Sequence, residues 1–188
     1  MSDKLKFPRD QAMSVANALV ALLRPHVTQI EIAGSLRRGK LEVSDIEILF
    51  VPTTQTSPDG LFDTLTVDLA DAYIESLYKS GLIGKRFNSA GYIAAWGPKN
   101  KLGIHIPSGI PVDLFATTAE NWAVSLVIRT GSLETNLKLT TGAHKMGRSL
   151  HAYGSGISVH STGERIQART EQEVFDLCGV PYIEPSKR

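Results

Sequence analysis

One segment constrains the fold more than any other. Asp45 to Val51 alternates, setting Ile46, Ile48 and Phe50 against Asp45, Glu47 and Leu49. Residues two apart on a strand share a face, so Asp45 and Glu47 project together, opposite an apolar row. Such a strand belongs in a sheet whose other face is covered. Two adjacent carboxylates repel, and burying them unpaired is costly. A divalent cation relieves that cost, and hard cations take carboxylate and phosphate oxygens. Taken alone, an Asp-x-Glu pair is as common on an ordinary solvent-facing strand.

The neighbours sharpen the reading. Thr28 to Ala33 alternates as a strand and breaks at Gly34-Ser35, with Arg37, Arg38 and Lys40 following. A glycine lets backbone amides approach a phosphate, a serine hydroxyl adds a donor, and arginine grips phosphate oxygens bidentately. Asp113, between Val112 and Leu114, is a third carboxylate on a later strand. Three carboxylates converging on one sheet face suit two metals about 3.5–4 Å apart.

The rest of the chain predicts an α+β fold. Asp10 to Leu23 has helical spacing, ended by Pro25. Pro52 to Gly60 reads as a polar loop and Leu61 to Lys79 as a second helix. Strands are expected at 83–87, 92–96, 102–106 and 112–115, largely antiparallel. From Thr118 the pattern turns helical, at 121–128 and 135–146. Strand or turn signals span 150–166, and a capping box at Thr170 to Glu173 opens a last helix. This predicts one unit over 1–117 and a smaller lobe over 118–188.

Composition limits the function classes. The chain has 188 residues, a net charge of +1 and one cysteine, which excludes a disulfide framework and a cysteine-rich zinc site. Cys178 reads as a buried hydrophobe. No apolar run is long enough for a bilayer, and Met1 to Arg9 does not read as a secretion signal. The expected setting is a reducing cytoplasm, without membrane contact, and the expected state a monomer. Leu41 to Tyr78 holds eight acids and no Lys or Arg, with basic groups from Lys4 to Lys40 and from Lys79 to Lys101 on either side. That alternation is compatible with a metal site beside a phosphate-binding surface. The histidines lack metal-ligand spacing, and Trp96 and Trp122 read as core aromatics.

Gly34-Ser35-Leu36-Arg37-Arg38-Gly39-Lys40, followed by Asp45-Ile46-Glu47, resembles the signature of the DNA polymerase beta (family X) nucleotidyltransferases. Ile110 to Phe115 is similar to that family's third-carboxylate strand. Thr130-Gly131-Ser132, Asn136, Gly147, Leu150 and Tyr153-Gly154 resemble its nucleotide-selecting lobe. The resemblance, which runs along nearly the whole chain in order, implies a palm-like mixed sheet packed on helices, with a small α/β C-terminal lobe. It implies two Mg2+ ions (Mn2+ as a substitute) held by Asp45, Glu47 and Asp113. Gly34, Ser35, Arg38 and Lys6 would hold phosphates, Gly131 and Ser132 would line the sugar pocket, and Asn136 would reach the base. Lys138, Lys145 and Arg148 are candidates for tracking a DNA backbone. The implied activity is addition of a nucleoside monophosphate from a (d)NTP to a DNA 3′-hydroxyl at ends or gaps, releasing pyrophosphate.

The departures are specific. Glu47 replaces the usual aspartate, and Pro111 a frequent arginine. Ile128-Arg129 replace an aromatic pair, and Thr140 a basic template contact. The sequence leaves no room for the family's DNA-end-binding domain ahead of the palm. The alternatives are transfer to a small molecule, RNA or protein, and a catalytically silent module that binds nucleotide or DNA ends.

Overall fold

A computed structural model describes residues 5–59 and 63–188. Its elements run β1 (Phe7–Pro8), α1 (Arg9–Leu23), β2 (Val27–Ile32), α2 (Gly34–Arg37), β3 (Glu42–Val43), β4 (Ile46–Pro52), β5 (Thr54–Asp59), β6 (Asp63–Asp68) and α3 (Leu69–Lys79). They continue with β7 (Ile83–Lys85), β8 (Trp96–Gly97), β9 (Asn100–His105), β10 (Ile110–Ala116), α4 (Trp122–Thr130) and α5 (Leu133–Lys145). The last are β11 (Arg148–Leu150), β12 (Ile157–Val159), β13 (Arg165–Ile166) and α6 (Glu171–Leu177).

The α+β class holds. The main sheet has six strands in the order β2-β4-β10-β9-β7, with β8 on β9. It is mixed, because β10 runs parallel to β4 while every other pairing in it is antiparallel. One face carries Ile46, Ile48, Phe50, Val112 and Leu114 and is buried against α1 and α3, which contribute Ala12, Ala16, Leu19, Leu23, Ile74 and Leu77. Burying branched and aromatic side chains on this scale supplies the main driving force for the fold.

The opposite face is divided along its length. Leu49 and Phe115 pack under Leu126 of α4. Two residues earlier in each strand, Glu47 and Asp113 share that face of the sheet. A separate core unites α4, α5 and α6 around Val127, Leu139, Val174 and Phe175. Ser132 caps α5 by accepting from the Thr135 N–H at 3.4 Å. Thr170 caps α6 by accepting from Glu173 N–H at 3.1 Å, and the Glu173 carboxylate accepts from Arg169 N–H at 2.7 Å.

One expectation is corrected. The stretch read as a loop and a long helix is an antiparallel hairpin, β5 on β6, followed by a helix that starts only at Leu69. Thr64-Leu65-Thr66-Val67 alternates with β-branched residues, which favour a strand. Asp68 then stops the strand and caps α3, accepting from Asp71 N–H at 2.8 Å. Leu65, assigned to an inner helix face, is 51% exposed. Gly60, Leu61 and Phe62, where those readings met, lie outside the described residues, as does Lys4. The strand expected at 92–96 is reduced to Trp96–Gly97 and a single bridge between Phe87 and Ile93. Among the described residues no helix is long and apolar enough to cross a membrane.

Candidate active site

The three carboxylates lie near enough to act on one another through charge. Asp113 and Glu47 are direct partners in the parallel β10–β4 pairing, so their side chains leave the sheet side by side. Asp45 lies two residues before Glu47, at the entry to β4. Their crowding has a measurable consequence. The Glu47 carboxyl is raised to about 7, first by burial, then by the charges of Asp45 and Asp113, against the opposing pull of Arg129 and Arg38. Asp113 is raised to about 6, mainly by burial, with Asp45 adding to it and Arg86 opposing.

Two cavities flank Asp45. The first, about 300 Å³, is lined by Lys6, Ser35, Arg38, Lys40, Glu42, Val43, Ser44, Asp45 and Glu47. Beside the glycine-serine turn it sets the cations Lys6, Arg38 and Lys40 against the carboxylates Glu42, Asp45 and Glu47. Gly34 has a φ of 62°, a conformation that side chains rarely adopt. A Cβ there would lie 2.8 Å from the Glu47 carboxyl carbon. The longer glutamate thus carries its carboxylate over the turn, and a side chain at Gly34 would displace it. The first amides of α2 have no intrahelical acceptor, and the buried Ser35 Oγ and Arg38 Nε have no hydrogen-bond partner among the described residues. The second cavity, about 430 Å³, is lined by Leu5, Phe7, Ser44, Asp45, Arg86, Gly109, Pro111 and Asp113. Glu47 borders only the first of these cavities, and Asp113 only the second.

The donor set suits a divalent cation: hard oxygens whose mutual repulsion a positive ion would relieve. Among the described residues no three such side chains already enclose an ion-sized space. Arg86 sits 2.8 Å from Asp113 Oδ1, and Glu47 leans over Gly34.

Several expected roles change. Arg37, read as a phosphate clamp, points away from the turn. It donates to Thr130 Oγ1 at 2.8 Å and pairs with Glu171 at 2.5 Å. Arg38 stays beside the first cavity and also donates to the Thr130 carbonyl. Gly131 adjoins Arg38, while Ser132 Oγ is engaged as the α5 cap. The Asn136 amide donates to Ile128 O at 2.9 Å, leaving its own carbonyl oxygen buried without a partner. Lys138 pairs with Glu134 on the surface and Lys145 is exposed. Arg148 is tied to Leu177 O at 2.6 Å. Cys178 is buried, its thiol pushed up to about 11 by burial, as an inert core residue.

One arginine was given no site role from sequence: Arg86, which touches Asp113. Arg129, noted as a departure from an aromatic pair, stacks on Phe115 with its guanidinium carbon 3.6 Å from the ring centroid, and donates to Tyr153 Oη at 2.6 Å.

Two comparisons with known proteins give matches. Residues 125–188 match the family model described as DNA polymerase beta thumb. The chain is also 28% identical to DNA polymerase lambda of Rattus norvegicus over 169 residues, covering 82% of this chain. Over these stretches the chain is similar to family X polymerases. It spans 28% of that relative's length. The thumb match begins inside α4, the helix that lies over Leu49 and Phe115.

Proposed function

We propose that the chain is a metal-dependent nucleotidyltransferase that joins the nucleoside monophosphate of a (d)NTP to a DNA 3′-hydroxyl. The observation that carries this reading is the position of Asp45 between two unlike cavities. The one bordered by Lys6, Ser35, Arg38 and Lys40 receives the triphosphate. The one beyond Asp113 receives the acceptor. The acceptor oxygen attacks the α-phosphorus, a new O–P bond forms, and the bond from that phosphorus to pyrophosphate breaks. Asp113, on the acceptor side, takes the hydroxyl proton. Ser35 Oγ and Arg38 hold the departing phosphates, work that is positioning and charge neutralisation. A divalent cation held by Asp45, Glu47 and Asp113 supplies Lewis acidity and neutralises phosphate charge when bound.

The test is an extension assay. Purified protein, labelled nucleotides and Mg2+ or Mn2+ are incubated with gapped DNA, recessed DNA, RNA primers and small alcohols. Extension of DNA is expected, and Asp45→Asn and Asp113→Asn should each lower it by at least about 10²-fold. A second reading, a silent nucleotide- or DNA-end-binding module, is favoured by one observation: the Glu47 carboxylate lies over the turn that would hold phosphates. Calorimetric nucleotide binding with no product on any acceptor would decide for it.

A further inference from the structure

We propose that Arg86 is the positioning residue of Asp113, holding that carboxylate toward Asp45 across the neighbouring strand. This inference rests on the nucleotidyltransferase reading above. Arg86 follows β7, and its N–H donates to Leu102 O at 3.0 Å while its own carbonyl accepts from Ala94 N–H at 2.9 Å. Leu102 is the β9 residue paired with Asp113. Arg86, Leu102 and Asp113 therefore stand level across three adjacent chains. The guanidinium spans one strand width to reach Asp113 Oδ1 at 2.8 Å. Among the described residues this is the one ion pair made by any of the three carboxylates, and Asp45 and Glu47 have none.

The pair is well placed to orient. The Asp113 side chain is 13% exposed and that of Arg86 31%, so the carboxylate is sheltered while the arginine enters from the cavity side. The backbone around Arg86 is pinned from both directions, so the guanidinium works from a fixed base. One guanidinium nitrogen on one carboxylate oxygen limits the side chain's rotation through charge. Arg86 lines the acceptor cavity and does not line the one beside Ser35 and Arg38. Its removal should disturb the reacting geometry and spare nucleotide binding.

The experiment compares wild type and Arg86→Ala by steady-state kinetics on the DNA acceptor and by crystal structures. Arg86→Gln, which keeps length without charge, replaces the alanine variant if that one fails to fold. The expected result is a kcat lowered by ~10–100-fold, as misplacement of a reacting group costs, with the nucleotide KM changed by less than about twofold. The Asp113 carboxyl should be turned away from Asp45 or spread over several rotamers. An unchanged kcat, a loss carried by the nucleotide KM, or a lowered kcat with Asp113 in its original rotamer would each overturn the proposal. If wild type transfers nothing to any acceptor, the functional reading fails by itself. The orientation of Asp113 in the variant crystal then decides the role of Arg86: turned away supports it, retained overturns it.

Discussion

At the scale of single residues, Glu47 is the informative position. Its carboxyl has a model-peptide value of 4.5 and rises to about 7 in the fold, because burial and two neighbouring carboxylates disfavour its charge. A carboxyl whose folded value is raised favours folding below its unfolded value and opposes it as pH climbs through the folded one. Metal-free wild type should therefore lose stability relative to Glu47→Gln between pH 4.5 and about 7. The full difference should be no more than about 3 kcal/mol. Thermal melts of both proteins across pH read this directly, and equal curves at pH 4 and 8 would remove the claim that Glu47 is strained by its neighbours. Addition of Mg2+ at pH 8 should narrow the gap, since a cation relieves the same repulsion. The roles of Asp45, Glu47 and Asp113 could be approached from sequence because strand alternation is local. The reach of Glu47 over Gly34, and the partners of Arg37 and Arg86, were not legible. They depend on contacts between residues far apart in the chain, for which no spacing rule exists.

At the scale of elements, the joint between the two parts of the molecule is ionic as well as apolar. Glu171, at the first position of α6, takes Arg37 from α2 on both oxygens, at 2.5 and 3.1 Å, and Arg188 on one of them at 2.7 Å. Burial pushes the Glu171 carboxyl up, but hydrogen bonds and charge from the two arginines outweigh it and hold the value below the ordinary range. The Arg188 side chain is fully covered, lying against Phe175 and Tyr182. Removing the glutamate strands a buried cation, so Glu171→Ala should cost on the order of 3 kcal/mol. Denaturant unfolding measures it, and a loss near zero would mean the clamp is ornamental. Because the depressed carboxyl opposes folding only when protonated, the wild-type advantage over Glu171→Gln should fade as pH falls below 4.5. The capping box that starts α6 was visible in Thr170 and Glu173, being a local pattern. The hairpin β5–β6 was not: its first strand has the polar composition of a loop, its second satisfies both helical and alternating spacing, and only the pairing partner resolves the choice.

At the scale of the whole molecule, the question is how a chain of net charge +1 would hold a polyanion. Total charge gives no purchase, so binding must come from cations set on one side. Lys138 and Lys145 lie on α5, exposed and seven residues apart, which is close to two helical turns and hence one face. Lys138 is paired with Glu134 at 2.7 Å, but both side chains are more than half exposed. Such a pair is worth little and gives way to a phosphate. Arg148 looks equivalent in sequence and differs in the fold, because its guanidinium is committed to the Leu177 carbonyl at the end of α6. Each lysine that meets a phosphate contributes about 0.9 to the slope of log affinity against log salt on duplex DNA. Lys138→Ala and Lys145→Ala should therefore each flatten the slope by about that amount and leave the melting temperature unchanged. Arg148→Ala should leave the slope alone and lower the melting temperature instead, since it leaves a carbonyl without its donor. Fluorescence anisotropy on labelled duplex DNA between 50 and 200 mM salt, the range in which counterion release is pronounced, separates the two behaviours. A slope unaffected by either lysine would place the DNA on another face, and with it the direction from which an acceptor enters the cavity beside Asp113.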